Sequence, residues 1–173
     1  MNAKQIKIVA TGYYPDITDY LFSEDWQRDF PGFIIDRQGE IHGGQGDNNV
    51  IALENARRVV LRDGRWWPAA PDGDGRLVPV EGADPVRCGY ELCDCGKAYE
   101  MIGDKQLKTL HRLLKSLLSQ FHLTFPYDNQ LGAVCPRAIA GGTGIYFASS
   151  YDKQREDIHP QVELILLIKS LAQ

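Results

Sequence analysis

At 173 residues the chain fits one domain and is long enough to bury a substantial core. Its 43% hydrophobic and 24% charged residues are ordinary for a globular protein, and a formal charge of -4 gives no basic footprint for nucleic acid. No apolar run reaches membrane-spanning length. The amino terminus, Met1 to Ile8, lacks the apolar core of a secretory signal, so the chain is expected to be cytoplasmic as synthesised, reaching a periplasm or cell wall only by lysis or a secretion apparatus.

Ile6 to Ala10 reads as a first strand, apolar enough to be central in a sheet. Thr18 to Phe30, with Tyr20, Leu21, Phe22 and Trp26 at mixed spacings, predicts a short helix that Pro31-Gly32 breaks. Ala69 to Arg76 is rich in Pro, Asp and Gly and reads as a loop within an exposed excursion over 69–85. The clearest helix is predicted from about Asp104 to His122. Leu107, Leu110, Leu114, Leu117, Leu118 and Phe121 form one apolar stripe there, while Lys105, Lys108, Arg112 and Lys115 stay solvated. Gly141-Gly-Thr-Gly144 lacks the Lys-Ser/Thr ending of a nucleotide loop and reads as a turn into Ile145-Tyr-Phe147. A last helix is predicted over Pro160 to Leu171, burying Val162, Ile165, Leu166 and Ile168. These elements predict a single α/β domain over residues 1–173, a mixed sheet flanked by helices.

Several segments, in order, resemble one family. Gly144-Ile-Tyr-Phe-Ala148, then Arg155-Glu-Asp157, then Pro160-Gln161 follow a pattern of Gly-Ile-Trp-x-His, Lys-x-Asp and Pro-Gln. Phe33-Ile-Ile-Asp-Arg-Gln-Gly-Glu-Ile41 looks like the same family's hairpin, and Val50-Ile-Ala-Leu-Glu-Asn55 like its central strand. Arg62-Asp-Gly-Arg-Trp-Trp67 and Cys88-Gly-Tyr90 are similar to segments of one bacterial branch. The family is that of the type 2 N-acetylmuramoyl-L-alanine amidases, AmpD-like enzymes and peptidoglycan recognition proteins. The resemblance runs over most of residues 6 to 171 and implies their amidase-like fold.

The resemblance also implies a degenerate zinc site. The family's two zinc histidines would fall on Ala10 and Ala148, its aspartate ligand on Asp157, its catalytic glutamate on Ala52 and its lysine on Arg155. Catalytic zinc is typically held by three protein ligands and lowers the pKa of its bound water to about 7. Asp157 alone cannot do this, and Ala52 offers no group to carry a proton. Arg155 keeps a positive charge that could hold an anion.

No cofactor is therefore expected, and the leading expectation is a non-catalytic protein that binds a peptidoglycan fragment in a cleft containing Arg155, Asp157, Tyr146 and Tyr151. One alternative is a protein-interaction module of a phage, toxin or defence system, anchored by Trp66 and Trp67, although ordinary sheet packing is the preferred role of those two rings. Another is a zinc amidase cleaving the MurNAc–L-Ala amide, either active or silenced by engineered alanines. Neither nucleic acid nor membrane insertion is expected.

The chain has four histidines, His42, His111, His122 and His159. A site rebuilt from Asp157, His159 and His42 is weighed against solvated or capping roles, and the latter are preferred. Cys88, Cys93 and Cys95 lack the paired C-x-x-C spacing of common structural zinc sites. With Cys135 distant, free thiols are expected, ahead of disulfides or a structural metal.

Overall fold

The β-branched residues of Gln5–Ala10 (β1) and the apolar end of Asp47–Leu53 (β4) suit strands covered on both faces. The computed structural model describes residues 5–11, 17–54, 58–91, 98–100, 102–123, 144–147, 166, 167, 170 and 171. Between β1 and β4 lie helices Ile17–Leu21 (α1) and Glu24–Asp29 (α2) and strands Pro31–Ile35 (β2) and Ile41–Gly43 (β3). After β4 come Val59–Arg62 (β5), Arg65–Pro71 (β6), Leu77–Pro79 (β7), Cys88–Glu91 (β8), Ala98–Glu100 (β9), helix Asp104–Gln120 (α3) and Gly144–Phe147 (β10). The chain is thus mixed α/β, as its composition and periodicity predict.

The main sheet runs β10-β1-β4-β2-β3, parallel except for β3, which returns antiparallel to β2. Alternation along the strands divides the core in two. Ile6, Ile8, Ile35, Ile51, Leu53 and Ile145 meet Leu107, Leu110, Leu114 and Leu117 of α3 on one face. Val9, Ile34, Val50 and Ala52 meet Tyr20, with Ile17, Leu21 and Trp26 of α1 and α2, on the other. The leucine stripe read from the sequence is the α3 contact, and Lys105, Lys108, Arg112 and Lys115 are exposed as expected.

Two segments differ from expectation. The helix predicted over Thr18 to Phe30 is two helices, because Ser23 breaks it and then caps α2, its Oγ accepting the Trp26 N–H at 3.1 Å. The excursion over 69–85 is in part paired strand. β6 continues through Ala69 to Pro71 and pairs antiparallel with β7. Asp72 makes the turn between them, its Oδ1 accepting the N–H groups of Asp74 and Arg76, each at 2.9 Å. Polar turn residues hid a hairpin whose tip is exposed, as the composition indicated.

The β5–β6 hairpin turns on Asp63 and Gly64, both at positive φ (52° and 73°), the conformation that two-residue hairpins favour. Among the described residues, no helix is long and apolar enough to cross a membrane.

Candidate functional site

In open α/β sheets, ligands bind beyond the carboxyl ends of parallel strands, and there the main-chain ladder of this sheet is extended. Thr11 N–H donates to the Leu53 carbonyl at 3.0 Å and Glu54 N–H to the Ile35 carbonyl at 2.9 Å, tying the ends of β1, β4 and β2 together. Ala10 is the last residue of β1 and pairs with Leu53. Ala52 lies opposite Val9 on one side and Ile34 on the other. Phe147 ends β10 and pairs with Ile8 of β1.

The family positions read from the sequence are brought together only in part. Ala10 and Ala52 stand on neighbouring strands, and β10 stops one residue before Ala148. Ala52 is fully buried in the cluster of Val9, Tyr20, Ile34 and Val50 under α1 and α2. Leu53, the register partner of Ala10, is buried instead on the α3 side. Tyr146 lies in β10, opposite Lys7. Ala148, Tyr151, Arg155, Asp157 and His159 lie outside the described residues, as do Cys93, Cys95 and Cys135. Cys88 in β8 is a half-buried free thiol.

Polar side chains that the sequence reading passed over brace these strand ends. Arg37 Nη1 approaches Glu54 Oε1 to 2.6 Å while Arg37 N–H donates to Glu54 Oε2 at 3.1 Å, and Arg37 Nε lies 3.7 Å from Glu100 Oε2. Gln106, buried in the first turn of α3, donates from Nε2 to the carbonyls of Glu54 (2.7 Å) and Ile35 (3.3 Å). Its Oε1 accepts the Gly103 N–H at 3.2 Å, so one amide both caps the helix and pins it to β2 and β4. Buried Asp29 accepts from Tyr20 Oη at 3.3 Å, with Arg28 Nε at 3.5 Å and Lys7 Nζ at 4.0 Å, and joins α2 to α1 and β1.

The described histidines act locally. His42 in β3 places Nε2 2.7 Å from Asp36 Oδ2. His111 Nε2 lies 3.3 Å from Ser170 Oγ, but that hydroxyl donates its proton to the Leu167 carbonyl at 2.6 Å, so the imidazole is the donor and the pair is no activated nucleophile. Trp66 and Trp67 are both half-buried. The main chain of Trp66 bridges to Val86, beyond β7, and Trp67 Nε1–H donates to the Arg62 carbonyl at 3.2 Å within the β5–β6 hairpin.

No family model matches the chain, and no curated protein or solved structure matches it.

Proposed function

We propose that the chain is a non-catalytic member of the amidase and peptidoglycan-recognition class that binds a muropeptide-like ligand beyond the carboxyl ends of β10, β1 and β4. The observation that supports this reading is the parallel order of those strands. Ala10 closes β1, Ala52 sits in the next strand, and β10, on the other side of β1, ends at Phe147. Ala10 and Ala52, matched to a ligand position and to the catalytic position of one family, thereby lie on adjacent strands, an arrangement their spacing alone does not require. Fold and function are separable, so the ligand rests on the resemblance.

The packing of Ala52 favours loss of catalysis over a working site. A glutamate there would sit between Val9 and Ile34, beneath Tyr20, whose hydroxyl is already committed to Asp29. Arg155 would supply the positive charge for an anionic peptide, in a cleft shared with Asp157 and walled by Tyr146 and Tyr151.

Calorimetric titration with defined muropeptides tests the reading. Saturable heat that Arg155→Ala diminishes supports it, and no heat at millimolar ligand ends it. Zinc-dependent release of the stem peptide from muramic acid would instead establish an amidase.

A further inference from the structure

The β2–β3 hairpin carries a group of side chains that the muropeptide reading does not use. Ile34 pairs with His42 across the hairpin, and two residues on, Asp36 N–H donates to the Glu40 carbonyl at 3.0 Å. Side chains alternate along a strand, so Asp36, Glu40 and His42 belong to the same face. Their donor atoms, one carboxylate oxygen from each acid and an imidazole nitrogen, all lie within 4.8 Å of one another.

We propose that Asp36, Glu40 and His42 form a binding site for a divalent transition-metal ion, with His42 Nε2 and one oxygen from each carboxylate as its protein ligands. One imidazole and two carboxylates make a mixed nitrogen and oxygen set that suits zinc, iron or manganese better than magnesium or calcium, which favour oxygen alone. Three ligands from one side leave the remaining positions to water, since Glu40 and His42 reach the surface while Asp36 is buried.

The frame is set before any ion arrives. Asp36 Oδ1 accepts the Glu40 N–H at 2.8 Å, which fixes the carboxylate and leaves Oδ2 turned to His42. Gly39 at the turn has φ 82°, and a Cβ there would come within 2.7 Å of the Lys105 carbonyl oxygen. The Gly39 carbonyl accepts from Thr109 Oγ1 at 2.6 Å, so the turn is seated on the first turns of α3.

His42 Nε2 and Asp36 Oδ2 share one proton across 2.7 Å. Two ligands of a tetrahedral zinc stand about 3.3 Å apart, given metal–ligand bonds of about 2.0–2.1 Å. Replacing the proton by the ion therefore needs the pair to part by roughly half an ångström, with the exposed Glu40 swinging in. The ion takes the place of the proton at Nε2, and the ring binds as the neutral imidazole with its single proton on Nδ1.

The test is titration of the full chain with zinc by calorimetry, and with cobalt(II) by visible absorption, for the wild type, His42→Ala, Asp36→Asn, Glu40→Gln and Asp157→Ala. The expected result is one ion per chain, a cobalt spectrum without thiolate charge-transfer bands, and affinity reduced at least about tenfold by His42→Ala and by Asp36→Asn. Asp157→Ala should bind as the wild type does. Circular dichroism establishes that each variant folds, and Glu40→Gln, at an exposed position, keeps the site testable should Asp36→Asn fail to fold. Binding weaker than millimolar, binding unchanged by His42→Ala, or a thiolate spectrum that points to the cysteines would each overturn the proposal. Muropeptide affinity is independent of all these outcomes.

Discussion

The carboxylate of Glu54 receives Arg37 twice, from Nη1 at 2.6 Å and from the main-chain N–H at 3.1 Å, and so locks the turn after β2 against the end of β4. Both side chains are largely buried, at 18% and 10% exposure, which makes the energetics those of an internal pair. Removing one partner of such a pair leaves a charge in low dielectric, whereas removing both can be nearly neutral. Arg37→Ala should destabilise the protein by about 3 kcal/mol. Arg37→Met combined with Glu54→Leu should cost clearly less than Arg37→Ala alone. Urea denaturation of the two variants decides it, and equal losses would mean that packing, not charge, holds the turn.

Gln106 is the corresponding neutral brace. Gln106→Leu keeps the volume of the side chain but strips hydrogen bonds from the carbonyls of Ile35 and Glu54 and from the Gly103 N–H. The Ile35 carbonyl keeps the Glu54 N–H and Gly103 is exposed, so the Glu54 carbonyl bears the loss, and a cost of about 1–3 kcal/mol is expected although the new residue is more apolar. Hydrogen exchange should quicken first in the opening turn of α3. A neutral or stabilising outcome would show that water reaches these carbonyls.

Both braces explain what could and could not be read from the chain. Leu107 to Leu117 recur at helical spacing, and Ile6, Ile8 and Val9 are β-branched, so α3, β1 and the two-sided core were legible as patterns of burial. Asp63-Gly64 likewise announces its turn through backbone chemistry. Gln106 and Thr109 carry no such signal. They lie beside the leucine stripe and are buried only because the ends of β2 and β4 and the β2–β3 turn offer carbonyls to them, a consequence of the strand order. Asp36-x-x-x-Glu40-x-His42 was visible as letters, but its convergence depends on the two-strand register, which the sequence reading did not resolve. Ala52 was read from resemblance as a vacated catalytic position, and its place in an apolar row between Val9 and Ile34 required the pairing of three strands.

Asp36 gives an acid-sensitive contribution to stability. Burial tends to raise its carboxyl pKa, but the hydrogen bonds from His42 and the Glu40 N–H outweigh this and hold it below the ordinary value of 3.8. A depressed folded-state value stabilises the protein above the unfolded pKa, and that stabilisation is lost as pH falls through the folded value. In chelator-treated protein, Asp36→Asn should cost about 1 kcal/mol at pH 7, modest because His42 is half-exposed. The gap between the two proteins should narrow as pH drops below about 4. Urea midpoints measured from pH 7 downward would show this, and a gap that stays constant with pH would assign the effect to the shape of the turn.

Position 52 tests whether the cleft of the proposed reading has an interior that can admit a catalytic group. Position 52 is fully buried and flanked by Val9 and Ile34, so a carboxylate introduced there has apolar neighbours on both sides. Ala52→Glu should therefore lower stability by about 3 kcal/mol or more at pH 7, and by less at acidic pH where the group is neutral. Ala52→Ser, which adds one hydroxyl, should cost substantially less. Combining Ala52→Glu with Ala10→His and Ala148→His should give no zinc-dependent hydrolysis of muropeptides, because the row of Ala52 packs under α1 and α2 while Leu53, the partner of Ala10, packs under α3. Hydrolysis by the triple variant would show that position 52 can open toward the strand ends, and with it that catalysis was lost by substitution of these residues alone. A destabilised and inert triple variant would mean that the core around β4 does not accept a carboxylate at position 52.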